Sequence, residues 1–235
     1  MRLLLTLSPL ENCSFDYINK HAIQGMIYSL LKNTDLASYH DSSKFKFFCF
    51  SDIFPLGDFK PKVSKYLLIS SPNDYLIDTL TKSLIYTDKV TLKGIEFKLE
   101  NIKRFTPKVG NRWISGSPIV LYKDNRKNLY YSFERNGDLN FFLERIKENA
   151  IKKYNVFFDD KFTIDENVFD RLNFRKEVVV KDFKGGSEFI FIGSVWRLLE
   201  KFRINNEHRK FYNFIMECGL GEKNSLGFGF VNPMR

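Results

Sequence analysis

Proton-transfer chemistry in this chain has few side chains to draw on. Histidine is the residue whose ordinary titration falls near neutral pH, and there are three, His21, His40 and His208. A single histidine is more often structural or solvated than catalytic, so each enters only as a candidate. Metal-assisted hydrolysis needs convergent oxygen ligands, and Asp41, Asp52 and Asp58 stand in no recognisable ligand spacing. Cys13, Cys49 and Cys218 are widely scattered with no CxxC pair, which points to a reducing interior and away from structural zinc or disulfides. No metal and no cofactor is expected.

The richest stretch is the tail, Gly219-Leu220-Gly221-Glu222-Lys223-Asn224-Ser225-Leu226-Gly227-Phe228-Gly229-Phe230-Val231. Glycine admits positive φ and close backbone approach. Successive free N–H groups in such a turn form a concave anion site, with Lys223 as a mobile charge beside it. The stretch therefore reads as a phosphate or RNA-backbone cradle, with contacts expected from Gly219, Gly221, Lys223, Asn224, Ser225, Gly227 and Gly229. The competing reading is a glycine-rich hairpin needed only for tight packing. It is not a Walker loop, which ends Gly-Lys-Ser/Thr, nor a dinucleotide fingerprint, because it follows a helical pattern instead of a strand.

These residues need elements to hold them. The chain has 235 residues, 43% of them hydrophobic, enough for one large core or two small ones. A formal charge of +9 favours a polyanionic partner. Many of the 25 Phe and 11 Tyr must be core, although rings among basic residues also suit base stacking. The apolar run at 2–10 is too short to span a membrane and leads into Glu11 and Asp16, so a cytoplasmic protein is expected.

Residues 2–7 read as a central strand, and a helix follows from Ser14 or Phe15 to about Asn33, with Asn12 and Ser14 available as caps. On that helix His21, Gln24, Tyr28 and Lys32 share one stripe, within about 40° of Tyr28, beside the apolar stripe. Tyr28 is thus placed to face a cleft. Residues 44–50 alternate Lys44 and Lys46 with aromatics in the period of a strand. Then come a strand at 65–71, a helix at 75–85 and a strand or hairpin at 90–105 turning near Gly94. The order β, α, β, β, α, β is the ferredoxin-like unit, also the frame of the RRM, with helices on one face of an antiparallel sheet and the other face free. Residues 106–111 form the best linker. A second set follows: strands at 113–122 and 129–133, a helix at 139–154 with Phe142, Ile146, Ala150 and Lys153 in register, and strands at 172–183 and 188–198. A helix at 205–218 and a closing strand at 226–231 complete it. The expectation is an α+β chain of two tandem ferredoxin-like domains, 1–106 and 112–235.

The tail resembles the C-terminal glycine-rich signature of the CRISPR-associated endoribonucleases that cut precursor CRISPR RNA, the sixth Cas family within the repeat-associated RNA-binding superfamily. The likeness extends to Met1-Arg2-Leu3-Leu4-Leu5, Ile23-Gln24-Gly25-Met26-Ile27-Tyr28 and Phe48-Cys49-Phe50-Ser51. It rests on roughly the first fifty and the last forty residues; the middle carries no matching motif.

In a metal-free route the ribose 2′-hydroxyl attacks the adjacent phosphorus, a base takes its proton, an acid protonates the leaving 5′-oxygen and a cation stabilises the phosphorane. DNA lacks the nucleophile. In the resembled family this work falls to a Tyr on the first helix, a His in the following loop and a Lys at the next strand, which here implies Tyr28, His40 and Lys46. Lys44 competes with Lys46, and His21 with His40; His208 reads as a solvated surface residue. The resemblance implies repeat RNA as partner, both precursor transcript and mature guide, an interference effector complex downstream, no membrane, and a monomer or homodimer. The alternative is a protein of the same fold that grips repeat RNA through the tail and a basic hairpin, Arg175, Lys176, Lys181 and Lys184, without cutting. A generic tandem RRM protein is a weaker reading, since the full RNP1 pattern is not evident.

Overall fold

The structure, a computed structural model, describes residues 1–39, 45–184 and 186–234, with the side chains of all of these except Asn136 and Lys184. Its first half contains β1 (Arg2–Pro9), α1 (Lys20–Leu31), β2 (Cys49–Phe50), β3 (Lys65–Ser70), α2 (Asp74–Ile85), β4 (Lys89–Leu92) and β5 (Ile95–Phe105). The sheet order is β2-β3-β1-β5-β4, antiparallel throughout. That is the ferredoxin-like arrangement with β4 added as a hairpin partner of β5. The hairpin turns at Lys93 and Gly94, both at positive φ (50° and 87°), the backbone that a two-residue turn between twisted strands demands.

The second half contains β6 (Arg112–Ser115), β7 (Tyr122–Asp124), β8 (Leu129–Tyr130), α3 (Phe133–Asn136), α4 (Leu139–Phe158), β9 (Arg171–Lys184), β10 (Ser187–Glu200), α5 (Arg209–Cys218) and β11 (Val231–Pro233). Its sheet order, β11-β6-β10-β9, repeats the ferredoxin-like pattern around α4 and α5. Each half has its own core. In the first, Leu3, Leu5 and Leu7 alternate along β1 onto Ile23, Ile27, Leu76 and Leu80 of the helices. In the second, Phe142, Ile146 and Ala150 of α4 and Phe211, Phe214 and Ile215 of α5 cover Trp113, Trp196 and Leu199 of the sheet.

Several expectations need correction. The first sheet does not leave a face free: Leu4 and Phe105 pack with Cys49 and Leu68 against Phe230 of the tail. Helix α1 starts at Lys20, because Asn19 caps it by accepting from the Ala22 amide at 2.9 Å; residues 15–17 form a separate 3₁₀ turn, and neither Asn12 nor Ser14 is the cap. Of 44–50 only Cys49 and Phe50 pair as a strand, since Phe47 takes φ 47° and breaks the ladder; Lys44 lies outside the described residues. The run at 113–122 contributes only 113–115 to the sheet and then leaves to build the separate β7–β8 pair, and Phe133 opens a helical turn. The closing strand begins at Val231, not 226, because 224–226 form a 3₁₀ turn and Gly227 and Gly229 sit at φ 79° and 73°. No described helix is long and apolar enough to cross a membrane.

Candidate RNA-cleavage cleft

Between the halves lies a cleft of about 230 Å³, lined by residues 45–48 ahead of β2, Lys153 of α4, Cys218 at the end of α5 and residues 221–225 of the glycine-rich loop. Helix α1 approaches it with two side chains one turn apart. Gln24 donates from Nε2 to the Ser225 carbonyl at 2.9 Å, and the Tyr28 hydroxyl lies near enough to the Ser225 side chain to interact with it. The Tyr28 ring meets Phe48 edge-on, centroids 6.1 Å apart. Burial raises the Tyr28 pKa above its ordinary 10.0, and the Ser225 side chain offsets part of that rise. Tyr28 is therefore a neutral phenol near neutral pH. Lys46 lines the cleft and its ammonium donates to the Tyr39 carbonyl. Tyr28, Lys46 and Ser225, expected from three distant stretches of sequence, are thus brought together. His40 lies outside the described residues.

His21, the competitor for proton transfer, looks elsewhere. Its Nδ1 is 2.9 Å from Oδ2 of the buried Asp182 on β9, and its ring is 5.9 Å from that of Phe189 on β10. His208 is not a solvated residue: its side chain is 19% exposed, edge-on to Phe162 and 3.7 Å from Glu166. On the basic hairpin Arg175 and Lys176 are exposed, whereas Lys181 pairs with Glu188 at 3.1 Å.

The glycine-rich loop divides its residues between packing and presentation. Gly219, Gly221, Gly227 and Gly229 are buried, all at positive φ. A Cβ on Gly227 would lie 2.1 Å from the Phe50 ring, one on Gly221 2.4 Å from the Val120 carbonyl oxygen, and one on Gly229 1.8 Å from that of Leu220. These glycines let the tail thread between the two sheets, so the packing reading holds for them. Asn224 is engaged inward as well: Nδ2 donates to the Leu220 and Phe228 carbonyls at 3.0 Å each, and Oδ1 accepts from Lys153 at 2.8 Å. Unspent amides remain at three positions of the loop. The amides of Leu226, Gly227, Phe228 and Gly229 are spent on loop or strand carbonyls, whereas those of Lys223, Asn224 and Ser225 find no acceptor among the described residues and border the cleft. Lys223 is exposed, with its ammonium 5.6 Å from the Tyr122 ring centre.

Three side chains hold the loop in place through bonds that the sequence reading missed. Lys20, at the first position of α1, donates to the Gly227 carbonyl at 2.8 Å and to Asp52 at 2.6 Å. Lys153 donates to the Gly219 and Gly221 carbonyls at 2.7 and 3.1 Å. Gln24 takes the Ser225 carbonyl. The visible signal was Lys153 itself, an ionisable residue in the apolar register of α4.

Comparison with known proteins agrees with this architecture. The family model described as "CRISPR associated protein Cas6, C-terminal" matches residues 81–233. The chain is 49% identical, over all of both chains, to a protein of Methanocaldococcus jannaschii named CRISPR-associated endoribonuclease Cas6 2. It is 24% identical to the CRISPR-associated endoribonuclease Cas6 of Haloferax mediterranei, over 99% of this chain and 93% of the relative. A solved structure titled "CRISPR associated protein Cas6" superposes with a TM-score of 0.72 at 25% identity, covering 100% of this chain and 99% of that one. Together these place the chain in the Cas6 family of CRISPR-associated proteins.

Proposed function

We propose that this protein is an endoribonuclease that cuts CRISPR repeat RNA in precursor transcripts and so releases mature guide RNAs. The observation that carries the reading is the convergence of Tyr28, Lys46 and the Ser225 corner of the glycine-rich loop on one cleft. The end-to-end identity to a named endoribonuclease supports the same activity here. The reaction is attack of the 2′-hydroxyl on the adjacent phosphorus, leaving a 2′,3′-cyclic phosphate and a 5′-hydroxyl. Lys46 offers its ammonium to the charge that develops on the phosphorane. Tyr28, a neutral phenol that burial keeps from ionising even at alkaline pH, offers its proton as a hydrogen bond to the reacting oxygens. His40 transfers the proton; its chain neighbour Tyr39 is tied through its carbonyl to Lys46. The route we propose is metal-independent, with proton transfer and charge stabilisation supplied by Tyr28, His40 and Lys46.

Binding divides between the Lys223–Ser225 edge of the loop and the exposed Arg175 and Lys176 of β9, which neutralise backbone phosphates. The same reading places the protein in the cytoplasm as a monomer or homodimer that hands its product to an interference effector complex. It divides the chain into domains at 1–106 and 112–235, supported by the two separate sheets. One gel tests the activity: purified protein with repeat RNA in EDTA. Discrete cutting with cyclic phosphate ends is expected. Tight binding without cutting would favour the alternative of a non-cleaving repeat-RNA binder.

A further inference from the structure

Lys153 is 2% exposed and sits beneath the glycine-rich loop. An ammonium has three donors, and here each has its acceptor: the Gly219 carbonyl, the Gly221 carbonyl and Asn224 Oδ1. Lys20, which grips the same loop from α1, is neutralised by Asp52. Lys153 has no carboxylate within ion-pair distance among the described residues, so the groups that touch its charge are oriented dipoles, with Glu222 acting from farther off. Those dipoles have a direction. With the carbonyls of 219 and 221 turned down onto the ammonium, and Asn224 passing the grip on to the carbonyls of Leu220 and Phe228, the amides of 223–225 are left facing the cleft. The loop closes over the charge only as glycine, because a Cβ at 221 or 229 would meet backbone oxygen.

We propose that Lys153 is a positioning residue for the cleavage: its buried ammonium sets the inward carbonyls of the loop, and thereby aims Ser225 and the amides of Lys223–Ser225 at the phosphate being cut. The proposal rests on the endoribonuclease reading for its substrate, but not for the loop geometry. A methionine of similar length would fill the same space but leave the Gly219 and Gly221 carbonyls and Asn224 Oδ1 without their donor, so the loop should loosen where those acceptors sit. Burial lowers the Lys153 pKa, while Cys218, Glu222 and Cys49, the titratable groups with which it interacts, act in the opposite sense. Lys46 and Lys223 also line the cleft.

The test compares the full chain with Lys153→Met. Three quantities are read: single-turnover cleavage at saturating protein, affinity for repeat RNA blocked by a 2′-deoxy ribose at the cut site, and amide hydrogen exchange along 219–229. The expected result is cleavage slowed about 10²-fold, the scale of a misplaced reacting group. Affinity should change far less, because the exposed phosphate contacts are untouched. The amides of Leu220, Glu222 and Gly229, bonded in the parent to the Gly229, Val120 and Pro118 carbonyls, should exchange faster, while α4 and the sheet keep their protection. Cleavage close to the parent rate, affinity and rate falling in equal proportion, or an unchanged loop exchange pattern would each overturn the proposal. If Lys153→Met does not fold, Lys153→Gln is read against the same outcomes. A parent that binds but never cuts would defeat the endoribonuclease reading, and loop exchange in the variant would still decide the role of Lys153.

Discussion

Tyr28→Phe deletes one hydroxyl and leaves the ring edge-on to Phe48, so α1 stays packed and thermal unfolding should be unchanged. The hydroxyl beside Ser225 is removed, and single-turnover cleavage is expected to fall by roughly 10²-fold or more, the usual scale for a lost proton-handling group. Lys46→Ala should slow cleavage at every pH tested, because the ammonium stabilises charge on the phosphorane without passing a proton through the reaction. The His40→Ala variant should instead lose one limb of the pH–rate profile, and rate profiles of the three proteins from mildly acidic to mildly alkaline pH distinguish these roles. Tyr28 should contribute no limb near neutrality, since burial holds its pKa above the ordinary value. At this scale the helix stripe gave Tyr28 its correct direction but misdirected His21. The two share an angle, yet seven residues of helix separate them by about 10 Å along the axis, far enough for His21 to meet Asp182 of β9 instead of the cleft.

The glycine-rich loop yields opposite predictions for its two kinds of residue. Gly221→Val and Gly227→Ala place side chains where a backbone oxygen and the Phe50 ring already stand, in a backbone conformation that L-residues rarely adopt. Each should cost at least about 1–3 kcal/mol of stability, seen as a lower unfolding midpoint before any effect on RNA is measured. Lys223→Ala is exposed and should leave that midpoint alone, while reducing the salt dependence of repeat RNA binding by about one phosphate contact. An unchanged salt slope would remove Lys223 from the interface. Alternation and helical period were enough to order both sheets, because each strand hides one face and each helix one stripe. They failed where backbone is set by contacts distant in sequence. Residues 226–231 look like a strand, yet the chain must thread past Phe50 and Val120, and only left-handed glycines permit that path. Residues 44–50 alternate like a strand, yet Phe47 turns aside to pack on Phe157 and Phe214 of the other half.

The two halves function as one molecule because the tail is shared between them. Arg2 of β1, fully buried, donates from Nη1 and Nη2 to Asn232, Met216 and Val231 of the second half and from Nε to Ser70 of the first, with its guanidinium 4.5 Å from the Phe230 ring centre. Arg2→Met would leave the Met216 and Val231 carbonyls without this donor, and should lower stability by about 3–5 kcal/mol, the range for breaking one side of a buried charged network. A calorimetric scan in which the variant melts with the parent would remove Arg2 as the link. The alkaline limit of the fold is set by buried acids. Burial pushes the Cys49 thiol from 9.0 to about 12 and raises Tyr28, Tyr39, Tyr154 and Cys218. A raised folded pKa stabilises below the unfolded value and the contribution is lost as pH rises through the folded one. Arg2, Lys65 and Lys153, all lowered by burial, act in the opposite sense but are fewer. Urea midpoints should therefore hold level through neutral pH and fall above about pH 9. All of this structure serves one claim, that the cleft cuts RNA with the RNA's own 2′-hydroxyl. The most direct test is single-turnover cleavage, in EDTA, of two repeat RNAs identical except for a 2′-deoxy ribose at the cut site. The account predicts complete cutting of the all-ribose strand and none at the deoxy position, with equal binding of both; cutting of the deoxy strand at the same bond would contradict it.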